Sequence, residues 1–134
     1  MELQLIYDTV TDHLLTQKSR SVLGLGYDDP DMCAYRGKDN LKCAVGILIP
    51  DEIYTPRMEG KGLRKLTDEF NSITNLFPTH DEQSLLSMLQ IIHDNSSNWD
   101  ENGLAPWAKR ELGAIPDLYP HFNLKPNHKL FSEG

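Results

Sequence analysis

The sequence lacks a long apolar run. Its longest, Ala44 to Ile49, contains Gly46 and falls well short of the roughly 20 residues that span a bilayer, so no transmembrane helix and no membrane partner are expected. It also lacks a basic excess: 13 Lys and Arg stand against 20 Asp and Glu, a net charge of −7. Proteins that grip duplex nucleic acid usually carry the opposite balance, and the densest basic group here is only Arg57, Lys61, Arg64 and Lys65. Duplex binding is therefore not expected. Cysteine is scarce. Two residues, Cys33 and Cys43, make no disulfide framework, so a reduced, cytoplasmic setting is expected. Met1-Glu2-Leu3-Gln4 has neither the basic region nor the cleavage site of a signal peptide. Gly24-Leu25-Gly26 lacks the preceding strand and third glycine of a nucleotide-binding turn. No internal repeat or low-complexity tract is present.

What is present is mostly helical patterning. Leu3, Ile6, Tyr7, Val10 and Leu14 recur at helical spacing and predict an amphipathic helix over about 3–17. Residues 22–32 carry Gly24, Gly26 and Asp28-Asp29-Pro30-Asp31, which is turn chemistry. Leu63, Leu66, Phe70 and Ile73 predict a second helix over about 62–74. Thr79 followed by Glu82 is a capping box. It opens a helix with Leu85, Leu86, Met88, Leu89, Ile91 and Ile92, expected to be the central one and to end near His93-Asp94-Asn95. Pro106 suits the first position of a shorter helix, with Gly113 as its C′ residue.

Between the first two helices lie two short runs, Met32 to Arg36 and Leu41 to Gly46, around Gly37-Lys38-Asp39-Asn40. A β-hairpin at about 32–46 is the economical reading. A three-residue loop would set Cys33 opposite Cys43, and a four-residue loop would set it opposite Ala44. Ala44 to Ile49 suits either a buried strand or a buried helical turn. The expected fold is mainly α, about four helices plus one small hairpin, with α+β as the fallback if that segment extends a sheet. Residues 1–113 form the expected helical domain. Residues 114–134, with Pro116, Pro120 and Pro126, are expected to be an irregular tail docked through Ile115, Tyr119, Phe122 and Leu124.

The candidate chemistry is sparse. Zinc needs about four ligands, commonly in short-spaced pairs. Cys33 and Cys43 are separated by nine residues, and His93 and Asp94 are the side chains that would have to complete a site. A thiol nucleophile needs a thiolate with a base in reach; Cys33 or Cys43 with His93 supplies the residue types. His93 and Asp94 also suit a helix C-terminus and its exit turn. Asp51, Glu52 and Glu59 are acids suited to a hard cation or to acid–base work, and equally to helix N-terminal charge. Tyr35 and Arg36 suit phosphate or base contact, and Arg36 suits an ion pair. No complete catalytic constellation is evident, and no cofactor is predicted.

Three pieces carry a resemblance: Cys33-Ala34-Tyr35-Arg36-Gly37 with Lys42-Cys43-Ala44-Val45-Gly46; Ile49-Pro50-Asp51-Glu52 with Tyr54 and Met58-Glu59-Gly60; and Ile92-His93-Asp94 closing the run from Leu89. Together they resemble uncharacterised small proteins of tailed bacteriophages and prophages, over about residues 3–112. The resemblance implies a viral accessory protein in a bacterial host cytosol. The expectation is a non-enzymatic protein that binds a host macromolecule or sequesters a small ligand, through Tyr35, Arg36, Asp51, Glu52 and His93. The alternative is a small metal-dependent hydrolase using His93 and Asp94 with nearby acids or cysteines.

Overall fold

The computed structural model describes residues 1–130. Among the described residues there are five α-helices: α1 (Leu3–Thr16), α2 (Leu63–Glu69), α3 (Asn71–Leu76), α4 (His80–Asp94) and α5 (Pro106–Leu118). A two-stranded antiparallel hairpin joins β1 (Trp99–Asp100) to β2 (Gly103–Leu104). The fold is mainly helical, as the patterning predicts.

The core is built where α1 packs on α4 and α4 on α5. α1 contributes Ile6, Tyr7, Val10 and Leu14, all fully buried. α4 contributes Leu85, Leu86, Leu89 and Ile92. Its start is set by Thr79, whose Oγ1 accepts the Glu82 N–H at 3.2 Å and donates to Glu82 Oε1 at 2.7 Å. The Met1 amine donates to the other carboxylate oxygen at 2.9 Å. α4 is not buried all round, because Ile91 stays exposed.

Three expectations need correction. The single helix over 62–74 is two helices, broken at Phe70, which is extended (φ −126°, ψ 101°). The break lets Ile73 and Phe77 reach the core with Leu66. Phe70 instead lies against Arg57 and Lys61, 5.7 and 5.2 Å from its ring centre.

Second, the hairpin is at 99–104, while residues 32–46 hold only one isolated pair, Arg36 with Lys42. That five-residue connection matches neither expected register, and Cys33 pairs with Val22 instead. Ala44 to Ile49 forms no strand; it holds a single 3₁₀ turn at Gly46–Leu48.

Third, α5 runs through Gly113 and Pro116 to Leu118, so the irregular stretch begins at 119 and not at 114. A proline inside a helix frees the carbonyl four residues earlier. Here that carbonyl belongs to Leu112, and the buried Tyr7 hydroxyl donates to it at 2.7 Å. The tail then docks on α1. Lys125 N–H donates to Gln4 Oε1 at 2.8 Å, and Asn127 Nδ2 donates to Asp8 and Asp12. Phe122 is buried in the core, and Tyr119 and Leu124 pack against it. Residues 131–134 of the tail lie outside the described residues.

Candidate functional site

The reactive-looking side chains meet where the C-terminal turn of α4 faces residues 20–21 and 33–46. Backbones cross closely there. A Cβ on Gly46 would sit 2.0 Å from the Tyr35 carbonyl oxygen, so only glycine fits at that crossing. Beside this crossing Cys33 and Cys43, with Tyr35, Gln90 and Asp94, line a cavity of about 230 Å³.

His93 is fully buried behind that cavity. Its Nε2 accepts the Ser21 backbone N–H at 3.0 Å. A nitrogen that accepts an N–H holds a lone pair, so the proton of this neutral ring sits on Nδ1. Nδ1 donates to Asp94 Oδ1 at 2.8 Å. The same oxygen accepts from Gln90 Nε2 at 2.6 Å, and Gln90 Oε1 accepts the Val45 N–H at 3.0 Å. Trp99 stands edge-on to the imidazole and donates to the His93 carbonyl at 2.8 Å. The network therefore ties three separate chain segments, at Ser21, Val45 and Trp99, to one helix end.

The Cys33, His93 and Asp94 donor atoms all lie within 4.8 Å of one another, which is the right neighbourhood for an ion. The hydrogen-bond polarity does not fit one. A metal-bound imidazole ordinarily donates its second N–H to an acceptor. Here the second nitrogen already accepts one, so Nδ1 must keep its proton and has no lone pair to give.

The thiols are equally unsuited to attack. Burial first, and then the neighbouring Asp94, push the Cys33 thiol from 9.0 up to about 11, against the opposing pull of Arg20. Arg20 Nη1 donates to Cys33 Sγ at 2.9 Å and to the Asp94 carbonyl at 3.2 Å. Burial raises the Cys43 thiol further, and its Sγ accepts the Gly46 N–H at 3.3 Å. Both sulfurs are protonated at neutral pH, and only a thiolate is a competent nucleophile.

The remaining candidates form a second hub. Glu59 accepts the backbone N–H groups of Tyr35 and Arg36 at 2.9 and 3.0 Å, and the Tyr54 hydroxyl at 2.6 Å. The Arg36 guanidinium lies 4.4 Å from the Tyr54 ring centre. Its Nη2 donates to the Ile49 carbonyl at 3.0 Å and pairs with Asp51 at 2.7 Å. Tyr35 is buried, with its hydroxyl donating to the Lys61 carbonyl. Glu52 is exposed and takes no part in either hub. So Tyr35, Arg36, Asp51, Glu52 and His93 do not make one surface.

Arg20, Ser21 and Gln90 complete the first hub without any motif to mark them; Arg20 and Ser21 meet partners far away in sequence, and Gln90 joins its neighbour Asp94 to the distant Val45. A different feature is more exposed than either hub. Residues 23–32 form a closed loop, held by Leu23 N–H to the Met32 carbonyl and Gly24 N–H to the Pro30 carbonyl, both 2.9 Å. Leu25 at its tip is 94% exposed, flanked by exposed Tyr27 and Met32 and by Asp28, Asp29 and Asp31. Set against known proteins, the chain matches no family model, no curated protein and no solved structure.

Proposed function

We propose that this chain is a non-enzymatic accessory protein of the phage type, which acts in the bacterial cytosol by binding a host protein through residues 23–32. One observation carries the reading: a leucine stands 94% exposed on a loop that is already closed by backbone hydrogen bonds. Burying such a side chain in a partner is worth about 1.5–3 kcal/mol, and a preformed loop spends little of that gain on ordering. Three aspartates around the tip and a net charge of −7 favour a partner whose apolar pocket has a basic rim.

A small ligand at the Cys33 and His93 hub fits less well. The cavity beside Cys33 holds about 230 Å³, below the roughly 300–1,000 Å³ of ordinary ligand pockets. The metal-dependent hydrolase alternative has the proton on His93 Nδ1 against it.

The test is retention from bacterial lysate on immobilised full-length chain, wild type beside Leu25→Asp and beside Asp28→Asn/Asp29→Asn/Asp31→Asn. The reading expects a basic protein that wild type retains and Leu25→Asp loses. Its retention should fall as salt rises, and fall less steeply for the triple variant. Retention of the same proteins by Leu25→Asp, or of none by wild type, overturns it.

A further inference from the structure

A second apolar face lies apart from the loop. Met88, Ile91, Trp107, Ala114 and Leu118 line an open groove of about 640 Å³ between α4 and α5. Ile91 is 69%, Leu118 67% and Trp107 48% exposed. α5 thus carries two stripes. Ala108, Leu112 and Ile115 face the core, while Trp107, Arg110, Glu111, Ala114 and Leu118 recur at three- and four-residue steps along the groove. A helix that is apolar on both sides has a packing face left to use.

We infer that this groove is where two copies of the chain associate about a two-fold axis, with α5 antiparallel to α5 of the second copy. A two-fold interface brings one patch against itself, so the patch must be self-complementary. This one is. Arg110 and Glu111 sit side by side on the groove wall, and the antiparallel pairing sets each against its opposite in the second copy. The same register lays the large Trp107 against the small Ala114 of the second copy. The protruding Ile91 and Leu118 supply knobs for the groove beside them. Both copies carry a charge of −7, so long-range repulsion opposes the pair and salt relieves it, since screening shortens to a few ångströms near 1 M. Salt dependence of this sign is opposite to that expected for a basic partner on the loop.

Sedimentation equilibrium of the full chain tests the inference directly. Wild type is expected to dimerise, more tightly at about 0.5 M than at about 0.05 M salt. Ile91→Glu and Leu118→Glu, both at exposed positions, should be monomeric with unchanged far-UV circular dichroism. Arg110→Glu and Glu111→Arg should each weaken the dimer by about tenfold or more, because like charges then face each other. Mixing these two single variants should restore it, as should combining both changes in one chain, because either arrangement again opposes unlike charges. Wild type that stays monomeric at about 100 μM, well above the micromolar range of ordinary specific association, overturns the inference. So does failure of the mixed variants to recover association.

Discussion

The end of α4 and the loop at 23–32 invert the usual division between inside and outside. At the first, an imidazole, two thiols, an amide and a carboxylate converge around buried backbone. At the second, a leucine, a tyrosine and a methionine stand in water among aspartates. The difference teaches which residues are free to act. His93 has both ring nitrogens committed, so its hydrogen bonds hold the fold together. Leu25 contacts little within its own chain, so its exposed surface is available to another molecule.

Breaking the interior side should have the largest effect. His93→Ala removes a fully buried ring, strands the Ser21 N–H and unpairs one Asp94 contact. A cavity and an unsatisfied donor together predict a loss of about 3–5 kcal/mol in urea unfolding. A loss below about 1 kcal/mol would show that the network contributes no stability and would return His93 to the list of functional candidates.

The thiols sharpen the same comparison more gently. A folded-state pKa raised above the unfolded one means that folding favours the protonated sulfur. For Cys33 the stabilisation is fully present below about 9.0 and is lost as pH rises through about 11. Wild type should lose more stability than Cys33→Ala across that window. At neutral pH both thiols should react with an aromatic disulfide reagent much more slowly in the folded chain than in urea. Rapid labelling of native Cys33 would contradict a protonated, Arg20-bound sulfur.

The smallest effect is expected outside. Leu25→Ser should change folding stability by no more than about 0.5 kcal/mol, the usual range for an exposed site without special contacts. A drop of several times that size in a melting experiment would mean that Leu25 serves the fold, and would weaken the case for the loop as a contact.

Much of the fold was legible because it is local. The i, i+3, i+4 spacing in α1 and α4 and the Thr79–Glu82 pair act within a few residues, and the structure keeps them. Asn102-Gly103 is also a local turn signal, and the hairpin forms around it. Other features had no local signature. Phe70 breaks a periodic run because Ile73 and Phe77 find the core. α5 passes Pro116 because Tyr7, more than 100 residues earlier, satisfies the Leu112 carbonyl. At the candidate site, Cys33, His93 and Asp94 drew notice by residue type alone. Arg20, Ser21 and Gln90, which pair with them, did not.

By itself the sequence determined the helix-rich class, the acidic balance and the cap of α4, since each depends on composition or on neighbours a turn apart. Only the tertiary structure decided that the imidazole is saturated, that the thiols hold their protons and that Leu25 faces water. Those properties depend on burial and on partners brought together across the chain, and no residue's identity specifies either.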